Sequence, residues 1–365
     1  MAARESVAGD DWMESPFLAA GPEEGLGSSE GAPGAYKRRM ELIASLEWLR
    51  VTFPWIYGAF AFVFGASIGS FLNVCIYRIP AGISIIHPGS RCPHCGTPIR
   101  WYDNLPIIGW LRLKGKARCC GAPISVRYPA VEALTGALIA TVLLQHPFPL
   151  SLIWVTFVAI LVVVTFIDLD HLIIPDRFSI GGTFLFLFLS LIAPQIHGIG
   201  PYAMDASFEA GVRALVGVAV GTATVCWISM IGEAILNKPA MGQGDYKLMG
   251  LIGAALGWEG ALFSIFGGAF IGTVILLPVL LLQRKEDAAT ETSGPSGGAT
   301  EEPGNDEEGV NGEEEDDYGP EPLGFGAKVP FGPMLAGGAL LYLLFLKEWV
   351  DQYFEDAAEA LKFFL

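Results

Sequence analysis

Charge is in short supply along most of this chain: Asp, Glu, Lys and Arg make up 16% of its 365 residues, against 52% that are hydrophobic. A soluble protein of this length needs charge to cover its surface, so the shortage argues against two ordinary soluble domains and for a chain solvated by lipid. With 22 Lys and Arg against 38 Asp and Glu, no nucleic-acid partner is expected. Two short signals are missing as well. No glycine-rich nucleotide fingerprint of the Rossmann type occurs, and no short apolar signal-peptide core stands before the first long apolar run.

What is plentiful is long apolar sequence. Candidate spans cover 55–77, 129–146, 151–167, 178–194, 211–235, 247–258, 260–282 and 331–347. They predict an all-α fold, a polytopic transmembrane helical bundle of about eight spans with a small cytoplasmic cysteine-containing loop domain. Gly217, Gly221, Gly250, Gly253, Gly267, Gly268 and Gly272 allow close helix approach, as small residues do in membranes. The chain divides into a polar, loop-like N-terminal extension (1–54), a first span (55–77), a basic loop (78–128), a membrane core (129–284), an acidic loop (285–328), a last span (329–347) and a tail (348–365).

The net charge of −16 is mostly local. Residues 286–328 hold fourteen Asp and Glu against Lys328, which accounts for −13. This Gly-, Pro- and Ser-rich stretch cannot bury a core and is expected to be disordered. The loop 78–128 is the opposite, with eight Lys and Arg against Asp103 alone. By the positive-inside rule it faces the cytoplasm, in a multi-pass protein of the cytoplasmic (inner) membrane. Counting spans from there puts residues 168–176 and 242–247 on the same side.

Those two segments each carry a carboxylate at the edge of an apolar run: Asp168 in Ile167-Asp168-Leu169-Asp170, and Asp245 in Gly242-Gln243-Gly244-Asp245. Such a charge is costly at a membrane edge and seldom kept without a role, although a lone one is more often a helix cap. Two carboxyls a few ångströms apart share a proton and hold one water between them, which is what peptide hydrolysis requires. Gly242 and Gly244 would let an extended substrate lie close to the main chain. Asp170 and Asp176 read as turn residues around Ile174-Pro175. At the end of the first span, Asn73 and Arg78 are candidates for orienting substrate or a catalytic carboxylate, Arg78 equally an interfacial anchor. Glu132 is expected to pair with a loop arginine such as Arg127 or to lie near the active site. Lys247 points either inward at Asp245 or outward to water, and His171 is an interfacial histidine beside Asp170.

The chain also contains Gly69-Ser70-Phe71-Leu72-Asn73-Val74, Tyr77-Arg78-Ile79-Pro80, Cys92-Pro93-His94-Cys95-Gly96, Asn104-Leu105-Pro106, Arg127-Tyr128-Pro129 with Glu132, and Pro330-Phe331-Gly332-Pro333. With the two aspartate motifs, this series resembles the bacterial type IV prepilin peptidases, bifunctional leader peptidases and N-methyltransferases, from about residue 60 to 347. The resemblance implies that Asp168 and Asp245 are the catalytic pair of a Gly-x-Gly-Asp membrane protease. It implies prepilins and pseudopilins as substrates, cut on the cytoplasmic side, and S-adenosylmethionine as donor for methylating the new N-terminus. A membrane transporter or channel binding ions at these aspartates, and a catalytically silent assembly subunit using the acidic loop, are the rival readings.

Of six cysteines, Cys75 and Cys226 lie in apolar runs and read as packing residues. Cys92, Cys95, Cys119 and Cys120 share the basic loop, where two Cys-x-x-Cys pairs would make a structural zinc site. Only the first pair is intact. Counting back from Arg127, the second pair of the family pattern ends at Cys120, and the position three residues earlier is Ala117. Cys119, next to Cys120, ligates only if the backbone is remodelled; otherwise His94, His87 or water would complete the site. The altered pattern puts the methylation half of the implied activity in question.

Overall fold

The computed structural model describes residues 34–200, 205–237, 241–291 and 330–364. Among them the architecture is all helical, apart from two isolated β-bridges in the cysteine loop. Helix α1 (Gly34–Thr52) ends before Pro54, which opens α2 (Pro54–Arg78). The basic loop holds a 3-10 turn (Trp101–Asp103) and the short α3 (Ile108–Arg112). Helices α4 (Arg127–Gln145), α5 (Leu150–His171), α6 (Asp176–Ile192), α7 (Ala206–Leu236) and α8 (Gln243–Glu291) follow. Last come α9 (Gly332–Leu341), a π-helical turn (Tyr342–Leu346) and α10 (Lys347–Phe364).

Among the described residues six helices are long and apolar enough to cross a membrane, and two features reconcile that with the eight spans expected. First, α6 has 17 residues and its second half is apolar apart from Ser190. Second, α8 is two helices. Gly257 has φ 75° and ψ −176°, a region that residues with a Cβ rarely enter. Ser264 Oγ lies 4.0 Å from Met249 Sδ, whereas a straight helix would separate these residues by about 22 Å at 1.5 Å per residue. The chain therefore folds back at Gly257. The first arm is buried on every side from Leu248 to Gly257, and α7 crosses it so closely that a Cβ on Gly217 or Gly253 would strike the other residue's carbonyl.

Two parts of the chain expected to be loop or tail are helical: α1 within the N-terminal extension, and α10. Helix α8 also runs to Glu291, taking in the first seven residues of the segment expected to be acidic loop; the rest of that segment, 292–328, lies outside the described residues. Helix α1 is not free in solvent. Glu47 Oε1 accepts the Phe148 amide at 2.7 Å, and Arg50 donates to the Leu144 carbonyl at 2.9 Å. These bonds fasten it to the α4–α5 connection, at the end of the bundle opposite the aspartates.

The core is continuous from α2 to the π-helical turn. Trp154, Phe157 and Phe186 stack edge to face at centroid distances of 6.0 and 5.4 Å, and Leu248, Met249, Leu251 and Ile252 are fully enclosed beside them. Cys75 is buried in this core, while Cys226 faces outward.

Candidate active site

Four helix ends meet at one end of the bundle. Helix α5 carries Asp168 in its last turn and closes at Leu172, whose left-handed φ of 53° turns the chain towards Pro175. Helix α6 begins directly after Pro175, with Asp176 in its first turn. Helix α8 begins with Asp245 in its first turn, and α9 begins at Gly332. Asp168 and Asp245, 77 residues apart in sequence, are 5% and 6% exposed, and the glycines beside them, Gly332 and Gly244, both lie against Ile174.

Each carboxyl is held by one oxygen. The Gly332 amide donates to Asp168 Oδ2 at 3.1 Å, and the Gly242 amide donates to Asp245 Oδ2 at 3.1 Å. The second bond is the acidic half of a capping box, so Asp245 does cap its helix. The cap uses one oxygen, and no hydrogen bond to protein occupies the other among the described residues. Ile174 packs between the two glycines: a Cβ on Gly244 would lie 2.9 Å from Ile174 Cβ, and one on Gly332 would lie 3.2 Å from Ile174 Cδ1 and 2.7 Å from Asp168 Oδ2. Both glycines are required by close approach.

The charged neighbours are not paired as the sequence suggested. Lys247 donates to Asp176 at 2.6 Å and does not turn towards Asp245. Arg127 grips Asp170 with two hydrogen bonds, 2.7 and 2.6 Å, so it is not the partner of Glu132. Glu132 instead accepts the Ile107 amide at 2.7 Å, from the loop between the cysteine turns. Asn73 donates to the Tyr128 carbonyl at 3.1 Å, and Arg78 to the Ser84 carbonyl at 2.9 Å. Asn73, Arg78 and Glu132 thus join the first span to the basic loop and α4. His171 is exposed.

The cysteine loop is an internal repeat with an offset of 25 residues. In the first turn Cys92 N bonds Thr97 O, Gly96 N bonds Cys92 O and Ile99 N bonds Ser90 O; in the second, Ala117 N bonds Ala122 O, Gly121 N bonds Ala117 O and Ile124 N bonds Gly115 O. Gly96 and Gly121 share φ near 70°, and Arg91–Pro98 matches Lys116–Pro123 as an isolated bridge. Ala117 is therefore the counterpart of Cys92, and Cys119 the counterpart of His94. Even so, the Sγ atoms of Cys92, Cys95, Cys119 and Cys120 lie within 4.8 Å of one another. The second turn keeps the backbone of the first, so Cys119 joins the cluster without the remodelling expected of it. Neither His87 nor His94 belongs to the cluster among the described residues. Thr97, through its hydroxyl and its amide, and Cys119 draw the Cys95 thiol down to about 6, while hydrogen bonding to Cys95 and burial push Cys119 up to about 12.

Two family profiles match this chain, the bacterial peptidase A24 N-terminal domain over residues 63–146 and the type IV leader peptidase family over 155–277. A prepilin leader peptidase/N-methyltransferase of Klebsiella pneumoniae is 35% identical over 228 residues, 60% of this chain and 94% of that protein. The chain belongs to the type IV leader peptidase family. The protein of the same name from Aeromonas hydrophila is 32% identical across 61% of this chain and 83% of its own length. That from Myxococcus xanthus is 38% identical across 61% of this chain, which spans 64% of its length. No solved structure matches the chain.

The boundary between the two profiles falls between α4 and α5. The N-terminal profile thus contains the cysteine loop and Glu132, and the leader peptidase profile contains both aspartates. Sequence reasoning did not single out Ile174 or assign Gly332 a place at the site. Their only signals were the motifs Ile174-Pro175 and Pro330-Phe331-Gly332-Pro333.

Proposed function

We propose that this chain is a membrane aspartic endopeptidase that removes the leader from prepilins and pseudopilins at the cytoplasmic face of the inner membrane, then N-methylates the new N-terminus from S-adenosylmethionine. One observation carries the peptidase reading: two buried carboxyls from distant helices meet at one end of the bundle, each with one oxygen held by a backbone amide. In that arrangement the ionised member takes a proton from a water while its protonated partner donates to the substrate carbonyl. Ile174, packed against both Gly244 and Gly332, sets the spacing of the two helix starts that hold the pair. A transporter site is disfavoured by position, since both aspartates lie at helix ends and not mid-span.

The four cysteines fit zinc. Tetrahedral coordination at about 2.3 Å requires sulfurs about 3.8 Å apart, and the observed separations include 3.2, 3.7 and 3.9 Å. Bound there, the ion would cross-link the two turns and serve as structure. The described residues form no strand-turn-helix nucleotide cradle, so we assign the methyl donor no residues and derive no step through it.

The deciding experiment is co-expression with a prepilin substrate. Asp168→Asn and Asp245→Asn should each leave the leader uncut while the protein still inserts, and cleavage retained by either variant would sink the reading. Mass spectrometry of the mature product then reports methylation separately, as a modified or free N-terminal amine.

A further inference from the structure

Beside the first span, on the side of the basic loop, is a cleft of about 370 Å³ that the peptidase chemistry does not use. One wall is a face of α2: Ser67, Phe71, Val74 and Arg78 recur at three- and four-residue intervals, with Ser70 beside them. The other wall comes from the loop, including Ile86 and Asn104. The cleft is preformed. Glu132 on α4 accepts a hydrogen bond from the Ile107 amide, next to the lining residue Pro106, and α4 packs against α2 so closely that a Cβ on Gly69 would lie 2.9 Å from Glu132 Cα. Ile107 is held at φ 59° in a γ-turn closed by Ile108 N to Pro106 O at 2.5 Å, a conformation a β-branched residue adopts only when its surroundings impose it.

Three properties of the cleft define its ligand. Its one charged lining residue is cationic: Arg78 is half-buried, gives one N–H to Ser84, and has no carboxylate partner among the described residues. A partly buried guanidinium with free donors takes an anion, best an oxyanion that accepts two hydrogen bonds. Next, the helical face continues away from the loop as an exposed apolar stripe, with Phe71 and Phe64 each 51% exposed and Phe60 69%. From Arg78 to Phe60 the stripe runs about 27 Å, more than the ~15 Å half-thickness of the hydrocarbon core. Finally, Arg78 is the last residue of a span and so stands at headgroup depth.

We infer that this cleft binds an anionic phospholipid, with its phosphate on Arg78 and Asn104 and an acyl chain lying along Val74, Phe71, Ser67 and Phe64. Ser67 supplies the gap between two phenylalanines through which the chain passes. Basic pockets at the cytoplasmic ends of spans select anionic headgroups in this way.

The test is photolabelling of the purified full-length chain with phosphatidylglycerol or phosphatidylcholine bearing a diazirine on the acyl chain, with labelled residues mapped by mass spectrometry. Phosphatidylglycerol should label residues 60–78. Arg78→Gln should lower that label about ten-fold and Arg78→Lys much less, because the charge is what selects the headgroup. Ser67→Phe should block the label while leaving Arg78 intact, which separates lost binding from misfolding. Equal labelling by phosphatidylcholine, competition by inorganic phosphate, or an unchanged label in both Arg78→Gln and Ser67→Phe would each overturn the lipid assignment.

Discussion

The aspartate pair and the cysteine cluster are both made of two halves brought together from separate stretches of chain, yet they tolerate change very differently. At the aspartates the halves come from helix ends packed by the whole bundle. A single Cβ on Gly332 would press on a carboxyl oxygen, and one on Gly244 would press on Ile174. At the cysteines the halves are two copies of one local turn, and the second copy has lost its first sulfur at Ala117 and gained one at Cys119 while keeping every backbone hydrogen bond of the first. A metal needs four sulfurs around a point and is indifferent to which backbone positions supply them. A proton-sharing carboxyl pair needs its two oxygens at one separation, and a misplacement of an ångström costs about 10²-fold.

That contrast sets the scale of the largest expected effect. Gly332→Ala should lower prepilin cleavage about 10²-fold without releasing metal, because the added methyl must displace Asp168 or Ile174. Cleavage by this variant within a few-fold of the parent would mean that the helix ends move freely, and the tight half of the comparison would be wrong.

Next in size is the sulfur transposition. Cys119→Ser should weaken zinc binding by at least about ten-fold, read as metal per chain after dialysis against a competing chelator. Cleavage should change little, since none of the four cysteines contacts the aspartates. The sharper form is the double substitution Ala117→Cys with Cys119→Ser, which returns the second turn to the pattern of the first and should restore metal retention. Failure of that rescue would show that the two turns are not equivalent.

How far these features could be read from sequence follows from the geometry of each. Asp168 and Asp245 were legible because a charge ending an apolar run stands out in one dimension, and the apolar helices because length and hydropathy are local. The partners of the charges were not legible. Lys247 lies two residues after Asp245, but residues two apart point to opposite sides of a helix, and it meets Asp176. Arg127 and Glu132 are five apart, about 140° around α4, so the arginine reaches Asp170 and the glutamate reaches Ile107. Gly332 and Asp168 are 164 positions apart, a separation that no local pattern reveals. The 25-residue repeat is written in the sequence, as Cys95-Gly96-Thr97-Pro98-Ile99 and Cys120-Gly121-Ala122-Pro123-Ile124, but Ala117 in place of the first sulfur removed the Cys-x-x-Cys spacing that would have marked it.

A smaller effect is expected at the Lys247–Asp176 pair, which ties the start of α8 to the turn carrying Ile174. Both side chains are substantially exposed, 34% and 60%, so the pair is worth at most about 1 kcal/mol. Lys247→Met should therefore slow cleavage no more than about five-fold. A loss comparable to that of Gly332→Ala would make Lys247 part of the acid-base chemistry instead.

The smallest expected effect lies in the loop and tests whether its fold depends on charge as well as on sulfur. Asp103 accepts hydrogen bonds from Arg118 at 2.8 Å and Arg112 at 2.6 Å, and its carboxyl is drawn down to about 2, chiefly by Arg118. A carboxyl depressed in the folded state contributes stability that is complete above its unfolded value near 3.9 and is lost as pH falls through its folded value. The bond between Asp103 and its two arginines should thus hold at pH 5 and weaken between about pH 4 and 2. Hydrogen exchange of the Trp101–Arg118 amides in metal-loaded protein should report that loosening, and Asp103→Asn should show the loosened exchange already at pH 5. If parent and variant exchange alike at pH 5, the two metal-linked turns hold the loop without help from its charges.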